Sequence, residues 1–326
     1  MHILKRWYLL FLLCVTLLLF LVACHQGTDI PANERDYVAW TGISGFVQPV
    51  WSPDGTMLAL KEFKEPQAQE HTRLFLYTFD RQQMIPITDT MGAYRAISWS
   101  PDSLKLVVAK INERKYGKDI QVVDVRAGQI TTIGFGEGAA WSPDGQSIAI
   151  YMGPKTNTSQ GHFSIDLVRP DGILIKTIPL PIAPTPNTWF DEYDGMSWAS
   201  DSQWIALSIM HWSSDNKLTG DVYVTDVNGD KFRQITTKGW NREPTWSPDG
   251  KTIAYIAMEF ASIFGRVYLV KPDGSCASLL SDALMTQSLS WSPDGNHIAY
   301  EFKNGVYILD FKKKLTSGSI PYSSCQ

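Results

Sequence analysis

Glu137 and Asp194 are the two carboxylates that the sequence best offers as an acid/base pair. Each stands four residues before a tryptophan that recurs along the chain, at a place where the other copies carry other residue types. Such a pair works when its two environments differ, so that one carboxyl keeps its proton while the other is ionised. A larger acidic set, Asp54, Asp102, Asp144, Asp201, Asp249 and Asp294, stands three residues after those tryptophans. Its regularity points to structure, because a reacting centre needs a few unlike groups that converge. Nucleophile and nucleotide chemistry have no support: G-x-S-x-G, H-E-x-x-H and G-x-x-x-x-G-K-[ST] are all missing from the sequence. His71, His162, His211 and His297 fall in different copies without metal-ligand spacing. Neither a metal nor another cofactor is expected.

The elements that position these acids are copies of one unit. Trp-Ser-Pro-Asp-Gly begins at Trp51, Trp141, Trp246 and Trp291, with degenerate copies at Trp99 (Trp-Ser-Pro-Asp-Ser) and Trp198 (Trp-Ala-Ser-Asp-Ser). Successive copies are 42 to 57 residues apart. Proline presets φ for the second position of a type I turn, aspartate suits the third and glycine the fourth. The aspartates are expected to accept backbone N–H groups in that turn, and the tryptophans to be core. Seven to nine residues after each tryptophan comes a short apolar run, from Leu58-Ala59-Leu60 to Ile298-Ala299-Tyr300. A second run follows in each copy, from Leu74–Phe79 to Val306–Phe311. Short apolar runs between turn residues read as buried strands. Four antiparallel strands per unit, repeated six times, make an all-β, six-bladed β-propeller. Closing the ring needs a strand from one terminus. Tyr37–Thr41 is expected beside the last blade, with Lys314–Ile320 as its competitor and a seventh blade built from both tails as the alternative.

Trp-Ser-Pro-Asp-Gly followed by an Ile-Ala-Tyr-like strand resembles the propeller repeat of TolB-type proteins and of the non-catalytic propellers in prolyl-oligopeptidase-type peptidases, over residues 45–311. The resemblance implies a TolB-like propeller. It departs from those families at both ends: TolB carries an α/β domain before its propeller, and the peptidases append a hydrolase domain. Here about 20 residues separate Cys24 from the first repeat and 35 follow Trp291, so a propeller without either extra domain is expected. The expected organisation is a signal peptide over 1–23, a lipidated N-terminus, linker and closing strand over 24–44, and the propeller over 45–326. A propeller does not dictate an activity.

Candidate binding residues are those that do not repeat. In a propeller, the segment entering each inner strand and the loop between its second and third strands lie opposite the Ser-Pro-Asp-Gly turns. Val47, Arg95, Glu137, Asp194, Arg242 and Gln287, four residues before the six tryptophans, are therefore expected around the channel mouth. Trp189, Tyr193 and Trp212 stand in long, aromatic loops of the fourth repeat on that face, where binding residues tend to be found. The bland reading of Trp189 and Phe190 is that they pack the extra residues of the longest interval.

The N-terminus carries an address. Lys5 and Arg6 precede an apolar run from Trp7 to Ala23, as in a secretory signal. Leu21-Val22-Ala23-Cys24 resembles the bacterial lipobox, which implies cleavage before Cys24 and acylation of its thiol. The alternative is an uncleaved N-terminal helix with a chance cysteine. With Cys14 and Cys24 set aside, Cys276 and Cys325 form an even pair that reads either as a disulfide or as two free thiols. The chain has 29 basic and 33 acidic residues and lacks a basic block, which argues against nucleic acid.

These readings converge on a lipid-anchored, extracytoplasmic, non-enzymatic scaffold in the bacterial envelope that binds a protein, a peptide or an envelope glycan at the channel mouth. The rivals are a hydrolase or lyase using Glu137 and Asp194, and an accessory structural lipoprotein.

Overall fold

A computed structural model describes residues 37–62, 72–88, 92–112, 117–153, 163–182, 188–190, 195–212, 218–237, 239–258, 265–286, 288–302, 305–318, 320 and 322. Cys24 and the preceding apolar run lie outside the described residues, as do Tyr193, Asp194, Gln287 and Cys325.

Each sequence repeat becomes an antiparallel blade. Blade 1 holds β2 (Phe46–Trp51), β3 (Met57–Glu62), β4 (Leu74–Thr78) and β5 (Gln83–Pro86). Blade 2 holds β6 (Tyr94–Trp99), β7 (Lys105–Ile111), β8 (Lys118–Asp124) and β9 (Ile130–Gly136). Blade 3 holds β10 (Gly138–Trp141), β11 (Ile148–Met152), β12 (Ser164–Val168) and β13 (Leu174–Pro179). Blade 4 holds β14 (Thr188–Phe190), β15 (Met196–Trp198), β16 (Trp204–Trp212), β17 (Leu218–Asp226) and β18 (Phe232–Gln234). Blade 5 holds β19 (Trp240–Trp246), β20 (Ile253–Met258), β21 (Gly265–Val270) and β22 (Ser278–Thr286). Blade 6 holds β23 (Leu289–Trp291), β24 (His297–Phe302) and β25 (Gly305–Asp310).

The fourth strand of blade 6 comes from the other end of the chain. β1 (Val38–Ser44) pairs antiparallel with β25, from Val38↔Leu309 to Ser44↔Gly305. Lys314–Ile320 does not compete for that edge. Its first residues belong to a short helix, Phe311–Thr316, whose start is set by Asp310 accepting the Lys313 N–H at 2.8 Å.

The core is laid down between blades. Ala59, Val107, Ala149, Ala206, Ala254 and Ala299, the middle residues of the second strands, are all buried. Small residues there let neighbouring sheets approach closely. Separate apolar clusters join blades 1 and 2 (Leu106, Leu76), 2 and 3 (Val107, Ile148), 3 and 4 (Ile165, Ile205) and 4 and 5 (Val222, Ile253). Leu58 and Leu60 of blade 1 meet Ala299 and Val306 of blade 6, closing the ring.

Blades 4 and 5 touch further out as well. A parallel bridge pairs Gly220 of β17 with Trp240 of β19. A side chain at Gly220 would collide with the Met210 sulfur and crowd the Asn241 carbonyl, so the approach requires glycine.

Candidate functional site

On one face of the ring, the turns after the tryptophans form a continuous belt. In blades 1, 2, 3, 5 and 6 the motif serine donates its hydroxyl to the aspartate Oδ1, as Ser52 does to Asp54 and Ser247 to Asp249, each at 2.6 Å. The same Oδ1 accepts a backbone N–H two residues on: Thr56, Leu104, Gln146, Gln203, Lys251 and Asn296 donate to Asp54, Asp102, Asp144, Asp201, Asp249 and Asp294. Holding the charged form in this way lowers carboxyl pKa values. The Ser100 hydroxyl is the main reason that Asp102 lies below the ordinary carboxylate range. Asp294 is taken down to about 2: burial opposes the shift, and the bonds from Ser292 and Asn296 outweigh it. The six aspartates are spent on turn structure.

The belt also joins each blade to the next. The ring carbons of Pro101 lie 3.0 Å from where a Cβ on Gly145 would stand, and Pro293 is placed similarly at 3.3 Å from Gly55. In the two copies with serine in the glycine place, the link is a hydrogen bond. The Asp54 N–H donates to the Ser103 hydroxyl and the Asp144 N–H to that of Ser202, both at 3.1 Å.

Behind the belt, the tryptophans alternate. Trp99, Trp198 and Trp291 donate their indole N–H to the carbonyls of Val50, Ala140 and Thr245 in the preceding blade. Trp51, Trp141 and Trp246 instead donate their backbone N–H to the hydroxyls of Ser290, Ser98 and Ser197. Among the described residues, the indole N–H groups of these last three have no acceptor.

The opposite face differs from its expected form. Arg95 and Arg242 are only 6% and 5% exposed, so they are buried groups rather than rim groups. The cause is a bulge one residue later: Gln48, Ala96 and Glu243 adopt φ of 56°, 52° and 54°, and the register slips at each. In blade 5 the bulge brings consecutive side chains together, with Arg242 3.1 Å from Glu243. Glu301 of blade 6 accepts the Gln48 N–H of blade 1 at 3.4 Å, within the field of Lys61 and Arg242. Burial pushes Glu301 up to about 7, against the pull of that N–H and those two cations. Two acids and two bases from blades 1, 5 and 6 are thus linked beside the seam where the ring closes.

Glu137 is bound to Lys118 of blade 2, whose ammonium lies 3.4 Å from its carboxylate and 2.9 Å from its carbonyl. Burial, then the Glu137 charge, raises the Tyr151 hydroxyl. Ser208 and Ser98 help to line the space beside them, a cavity of about 30 Å³, which is room for one water molecule. No group of three metal-binding side chains occurs among the described residues.

Among the described residues, blade 4 has the second strand that extends furthest on this face. β16 ends 14 residues after its tryptophan, against 11 or 12 for the second strands of the other blades, a difference of about 7 Å or more along the strand. β14 adds to this outlying part, with Trp189 opposite Met210 and Trp212 opposite Leu218 on the next strand. A buried carboxylate braces it from below. Asp221 accepts from Gln234 at 2.9 Å, from Thr236 at 3.2 Å and from Asn241 of blade 5 at 3.4 Å. Burial raises its pKa despite these bonds and the nearby His211. Sequence reading missed Asp221, Glu243, Glu301, Lys61 and Lys118. A charged residue inside an apolar strand run, as in Ile-Ala-Tyr-Glu at Glu301, was the available signal.

Six antiparallel blades, the last completed by a strand from the N-terminal side, define this protein as a six-bladed β-propeller. Its fold is TolB-like. TolB from Acinetobacter baumannii superposes with a TM-score of 0.56 at 18% identity, covering 84% of this chain and 64% of that one. This chain therefore spans somewhat under two thirds of that protein's length. A putative TolB from Agrobacterium tumefaciens gives 0.59 at 20% identity, covering 82% and 90%. The propeller domain of the trilobed protease from Pyrococcus furiosus, described as having an open velcro topology, gives 0.51 at 14%, covering 82% and 83%. No protein-family profile and no curated protein matches the sequence. At such identities the likeness extends to the fold alone.

Proposed function

We propose that this protein is a lipid-anchored envelope scaffold that binds a protein or peptide through the face opposite its Ser-Pro-Asp-Gly turns, centred on the outlying part of blade 4. The observation that carries this reading is the strand register that places Trp189 and Trp212 on the outlying part of the blade 4 strands, whose second strand is the longest of its kind among the described residues. Aromatic residues on an outlying, braced hairpin are the kind of anchor that dominates protein interfaces. The inner part of the same face favours recognition over catalysis. Glu137 is engaged by Lys118, Arg242 by Glu243, and the cavity beside Glu137 is water-sized. The lipobox at Cys24 and the TolB-like fold support an envelope setting by analogy. Among the described residues no helix is long and apolar enough to cross a membrane.

Capture of cross-linked partners from detergent-solubilised membranes tests the reading. Trp189→Ala and Trp212→Ala should each cost about 2 kcal/mol, roughly thirtyfold in affinity, with melting unchanged. Cross-links that map to the belt of turns, with capture indifferent to both tryptophans, would place the interface elsewhere. Arg242→Ala is a poor probe, since it removes a buried cation that is paired with Glu243 and should destabilise the fold. Mass spectrometry tests the anchor: the membrane form should begin at an acylated Cys24, and Cys24→Ser should accumulate precursor.

A further inference from the structure

Three residues before the six tryptophans, the chain carries Gln48, Ala96, Gly138, Gly195, Glu243 and Ser288. The small residues fall together on blades 2, 3 and 4, and all three line the water-sized cavity beside Glu137. Gly138 has no conformational need to be glycine. Its backbone lies outside the left-handed region, and its pairing runs without a bulge from Gly138↔Tyr151 to Trp141↔Ile148. A Cβ added there would meet a single atom within 4 Å, the Ala96 methyl carbon at an ordinary 3.5 Å. Glycine in a strand loses stability relative to alanine and marks a bulge, a close backbone or a ligand. With the first two absent, the role left for Gly138 is to keep room for a ligand.

An independent observation comes from the floor of the same cavity. Ser208 is 0% exposed, and its hydroxyl makes no hydrogen bond among the described residues, although its N–H donates to the Gly195 carbonyl at 2.8 Å. A buried hydroxyl in that state is costly, which points to a guest group in the cavity that it lines. The cavity has a rim as well as a floor: Glu137, Gly138, Gly195 and Met196 are half-buried, whereas Ser208 and Ala139 are buried.

The walls select the guest. Ser98 already accepts the Trp141 N–H at 3.0 Å, which leaves its hydroxyl proton to be donated. Burial, then the Glu137 charge, keeps the Tyr151 hydroxyl protonated. The guest must therefore accept hydrogen bonds, which an ammonium or a guanidinium cannot do. The Glu137 charge and the apolar walls at Ile97 and Ala139 oppose a carboxylate. A space the size of one water is too small for a carboxamide. A hydroxyl meets all three conditions.

We propose that this cavity is a subsite of the partner-binding face and takes the hydroxyl of a serine or threonine side chain projecting from the partner, with Ser208 as the residue that recognises it. The inference rests on the reading of that face as the partner-binding one. The guest hydroxyl exchanges hydrogen bonds with Ser208, and the carbon that bears it lies at the rim beside Gly138.

Saturation-transfer NMR on the whole protein with acetyl-serine-N-methylamide at millimolar concentration tests this, with the alanine analogue as control. The serine probe should bind, and the alanine probe should bind about tenfold more weakly. Gly138→Ala puts a methyl group in the cavity and should abolish the preference for serine, while melting stays the same or rises because alanine replaces a strand glycine. Ser208→Ala should also abolish the preference, without lowering the melting temperature. Equal binding of the two probes by the parent, a preference that survives Gly138→Ala, or a large drop in melting temperature with Ser208→Ala overturns the proposal. Partner capture keeps the two readings apart. Capture that depends on Trp189 and Trp212 while the serine preference is absent removes the subsite and leaves the face. A serine preference that Gly138→Ala abolishes, with capture indifferent to both tryptophans, keeps the subsite and moves the interface.

Discussion

Asp54 and Ser103 belong to different blades, yet the backbone N–H of the first donates to the hydroxyl of the second at 3.1 Å. Ser103 reaches that place with φ of 59°, a left-handed backbone that favours glycine. A sequence that looks like decay of the Ser-Pro-Asp-Gly motif is therefore a different joint, in which a hydrogen bond offsets backbone strain. Ser103→Gly should relieve the strain and lose the bond, leaving stability within about 0.5 kcal/mol. Ser103→Ala loses the bond and keeps the strain, and should cost about 1–2 kcal/mol. Urea midpoints of the two variants give the comparison, and equal costs would mean that the bond contributes nothing.

The alternating tryptophans give a matched pair of substitutions. Trp99→Phe removes an indole hydrogen bond to Val50, whereas Trp141→Phe removes an indole N–H that has no acceptor among the described residues. Both truncate a buried tryptophan, so their difference isolates the bond. Trp99→Phe should be the more costly by about 1 kcal/mol in matched unfolding experiments. An equal or reversed order would show that the indole bond is energetically silent.

Glu301 sets a pH dependence whose sign is opposite to that of Asp294. Its folded pKa of about 7 lies above the ordinary 4.5, so the folded chain binds this proton more tightly than the unfolded one. Stability from this group is greatest below about pH 4.5, falls as pH rises to 7, and stays low above it. Asp294, depressed to about 2, contributes stability above its ordinary 3.8 that is lost as pH falls towards 2. Glu301→Gln removes the first of these titrations. Its stability relative to the parent should improve by roughly 2–3 kcal/mol between pH 5 and pH 8. A difference that is flat with pH would assign the seam's titration to another group.

Cys276 is disulfide-bonded, and its partner lies outside the described residues. Pairing with Cys325 would enclose a loop of about 50 residues and contribute on the order of 4 kcal/mol by chain entropy. A non-reducing digest should yield one linked peptide containing both residues, and reduction should lower the unfolding midpoint. Recovery of Cys325 as a free thiol would exclude that pairing.

The parts of this structure that repeat could be read from the sequence, and the parts that depend on which blades become neighbours could not. Six tryptophans, six aspartates and six alanine-centred or valine-centred strands declare themselves by recurrence. Counting back four residues to Arg95 and Arg242 assumed an unbroken inner strand, and the bulges at Ala96 and Glu243 invalidate that count. Glu301 and Lys61 both stand ten residues after their tryptophans. Their opposite charges acquire meaning only when the last blade closes on the first. Lys314–Ile320 competes on sequence for the closing edge, but the cap at Asp310 turns the chain into a helix that takes up its first residues.

The alternation of the tryptophans makes the number of blades a matter of parity. Odd and even blades present different partners: a serine hydroxyl precedes the tryptophan in blades 2, 4 and 6 (Ser98, Ser197, Ser290), and a residue whose carbonyl takes the indole precedes it in blades 1, 3 and 5 (Val50, Ala140, Thr245). A two-colour cycle closes without mismatch only when its length is even. A ring of five or seven blades would force two blades of one kind together, and the tryptophan at the joint between them would lack the partner it uses here. The building block is thus a pair of blades related by an approximate threefold axis. Recombination that exchanges, deletes or duplicates segments of this chain should be tolerated in steps of two blades and rejected in steps of one.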